Sequence, residues 1–316
     1  MNRRTFLGAA AASAAAPLFA AEPTKAPEKA AMLPVIDTHQ HLWDLTKVKL
    51  NWLKKGSEFD QSFTPKEYAA AIEGLNVVKS IYMEVDVVAE QQKDEAAYVI
   101  ELCEAAKTTM VAAVIAGHPA DDGFPTYIAA YKNVKFVKGV RQVLHVDGTP
   151  AGTMLKDSFV KGVQLLGDLG LSFDLCLRPA ELTEAAKLAE KCPDTRFILD
   201  HCGNPQAKFT KKEFETWKSD LAKLAEQKNV IAKISGIVAN GWEKGKWTAD
   251  DLAPAVNATI DAFGVKRCVY GGDWPVCTKA GTYGDWLKAL RAILANRPEA
   301  DQKAILHDNA VKYYAL

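Results

Sequence analysis

The sequence has no excess of either charge, since 39 lysines and arginines balance 39 aspartates and glutamates. A surface for nucleic acid or an anionic membrane needs a basic excess, so neither partner is expected. The six cysteines include no C-x-x-C pair, which leaves little support for a disulfide framework or a cysteine zinc site. We therefore expect most cysteines to be small core residues with free thiols.

The N-terminus lacks an apolar run long enough to cross a bilayer comfortably, so a membrane anchor is not expected. It does contain a twin-arginine signature, in which Arg3 and Arg4 precede an alanine-rich stretch. Small residues around Ala20 fit a cleavage site. The sequence predicts a twin-arginine signal peptide at 1–21 and a flexible lead-in at 22–33. The mature protein, without a membrane span, would be periplasmic or extracellular.

Short apolar runs alternate with segments of helical periodicity from residue 34 onward. The runs are rich in Val, Ile, Phe and Tyr and mostly lack two-residue alternation, as expected of strands buried on both faces. Predicted strands lie at 35–41, 77–85, 110–116, 136–144, 171–177, 196–201, 230–235 and 267–271, and predicted helices at 90–107, 181–191, 211–227, 250–263 and 283–295. This alternation predicts one α/β domain, 34–316, folded as a distorted (β/α)8 TIM barrel.

The polar segment 45–64 is too long for an ordinary loop between a strand and a helix. We expect it to fold over the mouth of the barrel. Trp43 and Trp52 are the predicted anchors of this segment.

Polar side chains end nearly every one of the apolar runs. In a (β/α)8 barrel the carboxyl ends of the strands form the face that carries catalytic residues. In strand order these residues are His39 and His41; Glu84 and Asp86; His118; Arg141, Gln142 and His145; Asp174 and Arg178; Asp200 and His201; Lys233 and Ser235; Asp273 and Trp274. Each has an ordinary structural explanation, such as a cap or an ion pair, but the whole set predicts an active site.

His39 and His41 are separated by one residue and therefore point to the same face of a strand. With His201 and Asp273 they could hold one zinc or manganese ion and leave a position open for water. Such an ion would make water more acidic and polarise a carbonyl. Alternatively, Asp273 deprotonates water without a metal, while the histidines donate hydrogen bonds to a carbonyl oxygen. Both alternatives lead to attack of water on an acyl carbon.

The remaining candidates are assigned to the substrate. Arg141 and Arg178 suit a carboxylate, which an arginine can bind through two parallel hydrogen bonds. The predicted substrate-binding set is Trp43, Glu84, Arg141, His145, Asp174, Arg178 and Trp274, and the predicted catalytic set is Arg141, His201 and Asp273. The expected partner is a small molecule, and the sequence makes no prediction about the oligomeric state.

Several motifs follow one another in a fixed order between residues 35 and 316. They include D-T-H-Q-H-L-W from Asp37, Y-M-E-V-D from Tyr82, G-V-R-Q-V-L from Gly139, L-D-H-C-G-N-P from Leu199 and G-G-D-W-P-V from Gly271. In this order they resemble the amidohydrolase superfamily. Within it, they are most similar to the amidohydrolase-2 branch, which contains sugar lactonases and 2-pyrone-4,6-dicarboxylate lactonase.

The resemblance implies a hydrolase that opens the lactone of a sugar acid or a dicarboxylic acid. Asp273 would be the base, and Arg141 would face a carboxylate or hydroxyl groups of the substrate. The fourth-strand lysine that binuclear relatives carbamylate has no clear counterpart, since Lys138 lies early in its strand, so one metal or none is implied. A metal-dependent decarboxylase of the same superfamily is the alternative. A non-catalytic exported sugar-binding barrel is a third, against which the presence of Asp273 argues.

Overall fold

Eight parallel strands form a nearly closed barrel in the computed structural model, which describes residues 32–50 and 52–316. The strands are β1 (Val35–Gln40), β2 (Val77–Met83), β3 (Met110–Ala116), β4 (Val137–Val143), β5 (Ser172–Cys176), β6 (Arg196–Leu199), β7 (Val230–Ile234) and β8 (Cys268–Tyr270). Each strand pairs with the next along the chain. The last gap is bridged where Gln40 pairs with Trp274, and where the Asp273 amide donates to the carbonyl of His39 at 2.7 Å.

The predicted barrel of strands alternating with helices is confirmed for this part of the chain. The described helices are α1 (Pro65–Ala71), α2 (Gln92–Ala105), α3 (Phe124–Ala129), α4 (Asp157–Asp168), α5 (Leu182–Lys191), α6 (Lys211–Ala225), α7 (Ala249–Phe263), α8 (Tyr283–Leu294), α9 (Glu299–Lys303) and α10 (Asn309–Tyr314). None of them is both long and apolar enough for a bilayer crossing. The predicted signal peptide, 1–21, and residues 22–31 of the predicted lead-in lie outside the described residues.

Four of the helices begin at a threonine followed three residues later by an acid. The threonine side chain accepts a backbone N–H of the first turn, and the acid accepts the threonine N–H, which satisfies donors that have no partner within the helix. These capping residues are Thr64, Thr210, Thr248 and Thr282. The sequence thus fixes where α1, α6, α7 and α8 begin, and with them the positions of the preceding loops.

The lower half of the barrel interior is apolar and closed by the C-terminal helix. Ile36, Ile81 and Ile198 project into this layer, and Ala310 and Tyr314 of α10 pack against it from below. All six cysteines are buried with free thiols, as predicted. Because this end is filled, the interior polar residues concentrate toward the carboxyl ends of the strands.

The segment 45–64, apart from residue 51, lies beside the mouth of the barrel and is held there by two tryptophans. The Trp43 indole N–H donates to the carbonyl of Gln61 at 2.7 Å, and that of Trp52 donates to the carbonyl of Val85 at 2.7 Å. The ring of Trp43 also contacts Trp52 and Phe59 edge-on, with centroids 5.6 and 6.1 Å apart. Both predicted anchors therefore fasten this segment and provide an aromatic wall.

Candidate active site

A cavity of about 300 Å³ opens at the carboxyl ends of the strands. The predicted site residues that line it are His41, Trp43, Arg141, His145, His201 and Asp273. Trp52, Phe59, Val85 and Val143 provide an apolar part of the wall. A concave, partly apolar cavity of this size with a few convergent polar groups is typical of a small-molecule site.

His41 presents one ring nitrogen to the cavity. Its Nδ1 lies 3.0 Å from the carbonyl of Met83 and 3.1 Å from that of Glu84. Carbonyl oxygens only accept, so Nδ1 must carry the proton. In the neutral ring, Nε2 then has the free lone pair, and it lies 3.4 Å from Oδ1 of Asp273.

His39 is fully buried behind His41, with a charged group of each sign beside each of its nitrogens. Its Nε2 lies 3.6 Å from Oδ1 of Asp273 and 3.4 Å from a guanidinium nitrogen of Arg141. Its Nδ1 lies 3.4 Å from Oδ1 of Asp200 and 3.2 Å from Nζ of Lys233. Burial holds the pKa of His39 well below its ordinary value, so the ring is neutral at pH 7.

His201 follows β6 in a left-handed backbone conformation, with φ of 53°. Its Nδ1 bonds to the hydroxyl of Ser235 at 2.8 Å, and burial lowers its pKa. Gly236 lies so close that a Cβ there would be 2.2 Å from Nδ1 of His201. The Ser235-Gly236 pair therefore fixes the orientation of the ring at the cavity.

We predict that Gly236→Ala lowers kcat/KM, because the added methyl group displaces the His201 ring. A displacement of about 1 Å in an active site costs on the order of 100-fold. The matched control is Gly241→Ala, because Gly241 also has positive φ (91°, against 63° at Gly236) but its Cβ would meet only Ala207, at 3.7 Å. Steady-state kinetics should show the loss in the first variant alone. Equal losses of kcat/KM in both variants would mean that the cause is the strain of alanine at positive φ and not the contact with His201.

Arg141 is buried and bound to Glu84, which is why Glu84 itself does not line the cavity. Nε of Arg141 pairs with the Glu84 carboxylate, and another guanidinium nitrogen donates to the Glu84 carbonyl at 2.6 Å. The third nitrogen lies 3.4 Å from Nε2 of His39 and 3.6 Å from Oδ2 of Asp200. Of the three guanidinium nitrogens, this third one is therefore directed toward the imidazole of His39.

A buried ion-pair cluster lies beneath the imidazoles, and the sequence assigned it no joint role. Nζ of Lys233 is 2.7 Å from Asp174 and 2.9 Å from Asp200. Burial raises the pKa of Asp174 to about 7, against the opposing effect of Lys233. Burial would also raise the pKa of Asp200, but the ammonium group of Lys233 holds it well below its usual range. The sequence did contain a signal for this cluster. Lys233 lies within an otherwise apolar run, and buried lysines are almost always paired with an acid.

Besides Glu84, three predicted substrate contacts lie away from the cavity wall. Asp174 is fully buried against Lys233. Arg178 binds Glu181 at 2.9 Å and also the carbonyls of the loop after β4. Trp274 packs edge-on against Phe63. By contrast, Asn240 and Lys279 line the cavity although neither was predicted, and Asp86, a strand-end residue to which no specific role was assigned, lines it as well.

The four residues of the predicted metal set fall in two overlapping groups that share His39, and the second group also includes Asp200, which was not predicted as a ligand. One is His39, His41 and Asp273, and the other is His39, Asp200 and His201; in each, the potential ligand atoms lie within 4.8 Å of one another. With a neutral His41 ring and an ionised Asp273, Nε2 of His41 and Oδ1 of Asp273 are both acceptors, and they face each other at 3.4 Å. Two lone pairs at this distance repel unless a cation or a proton donor lies between them. Neutral imidazoles and a carboxylate also suit zinc or manganese, so the first group fits a divalent ion.

The family model for amidohydrolases matches residues 36–316. The chain belongs to the amidohydrolase family. This amidohydrolase is 25% identical over 291 residues to the L-fucono-1,5-lactonase of Burkholderia multivorans, and the alignment covers 89% of this chain and 96% of the relative. The expectation drawn from the motifs is therefore confirmed at the level of the family.

Solved structures share the barrel. A zinc-bound amidohydrolase from Burkholderia multivorans superposes with a TM-score of 0.80 at 23% identity, covering 90% of this chain and 99% of the other. The 5-carboxyvanillate decarboxylase of Novosphingobium aromaticivorans, in complex with manganese, gives a TM-score of 0.64 at 13% identity, covering 90% and 96%. At these identities the likeness establishes the fold.

Proposed function

We propose that this amidohydrolase opens a lactone by directing water onto the acyl carbon, with Asp273 as the general base. The observation that carries the proposal is the Asp273 carboxylate, which lies in the cavity wall beside the imidazoles of His39 and His41. A carboxylate so placed can accept a proton from water while the apolar wall limits access of bulk solvent. The similarity to L-fucono-1,5-lactonases supports a lactone as the substrate class.

The chemistry needs one base and one group that stabilises a developing oxyanion. Asp273 takes a proton as the water oxygen bonds to the acyl carbon. Arg141 and His201 also line the cavity and can stabilise the negative charge that develops on the carbonyl oxygen. The ring C–O bond then breaks, and Asp273 returns the proton to the ring oxygen. The product is a hydroxy acid that ionises, so each turnover releases one proton to solution.

His39, His41 and Asp273 are the residues that would hold a divalent ion, with His201 on the adjacent side of His39. When bound, such an ion would supply Lewis-acid activation of water and of the carbonyl. Hydrogen bonds from Nδ1 to the carbonyls of Met83 and Glu84 fix His41 in the tautomer required for this role.

The proposed activity is tested with a panel of sugar-acid and dicarboxylate lactones, followed by acid release with a pH indicator. Metal content is measured on the same preparation, and the assay is repeated with a chelator. We expect proton release with at least one lactone and no carbon dioxide. Carbon dioxide release from an aromatic acid, without lactone opening, would instead support the decarboxylase alternative.

We also propose export by the twin-arginine route, on the basis of Arg3, Arg4 and the apolar stretch that follows them. Replacing both arginines with lysine should keep the full-length protein in the cytoplasm. Cell fractionation and N-terminal sequencing of the exported form provide the measurement. Export of the double variant at the wild-type level would contradict the route.

A further inference from the structure

Asp86 lines the active-site cavity in a backbone conformation that residues other than glycine rarely adopt. It lies directly after β2, three residues beyond Met83, and its φ is 52°. A left-handed conformation costs about 1–2 kcal/mol for an ordinary residue, and somewhat less for aspartate or asparagine. Such strain persists only where the surrounding structure enforces it, and it is concentrated at functional sites.

The contacts on both sides of Asp86 enforce this conformation. Its backbone N–H donates to the carboxylate of Glu84 at 2.6 Å. The preceding residue, Val85, donates its N–H to Glu95 and accepts the Trp52 indole N–H, with distances of 2.8 and 2.7 Å. The following residue, Val87, forms an antiparallel bridge with Leu50. The chain is thus pinned so that the side chain of Asp86 remains in the cavity wall.

The carboxylate held in this way has no protein partner among the described residues. No hydrogen bond or ion pair within residues 32–50 and 52–316 reaches its oxygens. Burial and the neighbouring Glu84 both raise the pKa of Asp86, which reflects the incomplete solvation of the group. Asp86 is only half-buried and its oxygens are not sealed from solvent, so a donor on a ligand that enters the cavity can reach them.

We propose that Asp86 determines specificity by accepting a hydrogen bond from a hydroxyl group on the ring of the lactone. The assignment rests on the proposed lactone chemistry and extends it to the substrate's substituents. A neutral hydroxyl fits better than an ammonium group, because Arg141 and Lys279 line the same cavity. The Trp52 indole, bonded to the residue before Asp86, can pack against the apolar C–H face of such a ring.

The test compares two sets of uncharged cyclic probes that the enzyme does not need to hydrolyse. One set consists of polyhydroxylated δ-lactams, and the other is the unsubstituted δ-lactam, 2-piperidone. Calorimetry measures their binding to the wild type, to Asp86→Asn and to Asp86→Gly. Asparagine and glycine both tolerate positive φ, so either variant removes the charge without opposing the backbone. Asp122→Asn, an exposed replacement outside the cavity lining, is the matched control.

We expect the wild type to prefer at least one hydroxylated lactam and both Asp86 variants to lose about 10- to 100-fold in affinity for it. This range corresponds to a hydrogen bond to a charged acceptor. Binding of 2-piperidone should change less than about twofold. Equal losses for both probes, or no loss in either variant, would overturn the assignment. So would the absence of any wild-type preference for hydroxylated probes.

The binding measurement separates this inference from the proposed activity. If the wild type binds hydroxylated lactams through Asp86 but opens no lactone, the hydrolase proposal fails and the role of Asp86 stands. If lactones are opened, kcat/KM provides a second reading. The Asp86 variants should then lose activity on hydroxylated lactones and keep it on unsubstituted δ-valerolactone.

Discussion

Asp273→Asn is expected to lower kcat for lactone opening by about 10²- to 10⁴-fold, the usual contribution of a general base. Asparagine has nearly the same shape and tolerates the left-handed backbone at this position, where φ is 55°. The variant should therefore fold normally and still bind the hydroxy-acid product. What it loses is the carboxylate that faces the imidazoles of His39 and His41 at 3.6 and 3.4 Å.

Acid release gives the rate of this variant, and calorimetry gives its affinity for product. Asp122→Asn should retain full activity, because Asp122 is exposed and absent from the cavity lining. Elemental analysis of wild type and variant distinguishes loss of a proton acceptor from loss of a metal ligand. A wild-type rate in Asp273→Asn would remove Asp273 from the mechanism.

Much of the fold could be predicted because strands buried on both faces can be recognised in the sequence as continuous apolar runs. The prediction for β3, 110–116, has the same bounds in the structure, and the other strands differ by a few residues. The carboxyl ends shift because regular pairing stops before the polar residues that follow: His201, the last residue of the predicted strand 196–201, already has a left-handed backbone. Helices α1, α3, α4, α9 and α10 were not predicted. All of these except α4 are seven residues long or shorter, which gives little periodicity to recognise.

The sequence identified which residues meet at the mouth but not how deeply each lies. His41, Arg141, His201 and Asp273 reach the cavity because strand ends converge in a barrel of this type. Arg178 lies just beyond such an end, yet the path of its loop turns its guanidinium toward carbonyls of the neighbouring loop. Loop paths depend on tertiary contacts, which a strand pattern does not contain.

The pairing of Lys233 could not be read from the sequence for a different reason. Its partner Asp174 is 59 residues earlier and lies on β5, with β6 between the two strands. The two side chains meet only because both project into the barrel interior, across the intervening strand. Sequence shows an isolated charge in each run, whereas the closed barrel brings the opposite charges together.

Replacing Lys233 with methionine is expected to lower the free energy of unfolding by about 3–5 kcal/mol, the usual result of removing one partner from a buried ion pair. Methionine keeps most of the side-chain volume, so the loss reports charge rather than a cavity. The variant leaves Asp174 and Asp200 buried without their cation. Urea unfolding followed by circular dichroism provides the measurement.

Lys223→Met is the control, because Lys223 contacts Asp220 at the same 2.7 Å but its side chain is 55% exposed, whereas that of Lys233 is fully buried. An exposed pair contributes less than about 1 kcal/mol to stability, so comparison of the two variants separates the effect of burial from the effect of contact distance.

The destabilisation by Lys233→Met should also be smaller at pH 5 than at pH 8. Without the lysine, the pKa of Asp174 rises further above the unfolded value, and the pKa of Asp200 is no longer held below it. At pH 5 the folded variant therefore binds more protons than the folded wild type, which offsets part of the lost stability. A pH-independent loss below 1 kcal/mol would mean that water or a cation already solvates the cluster.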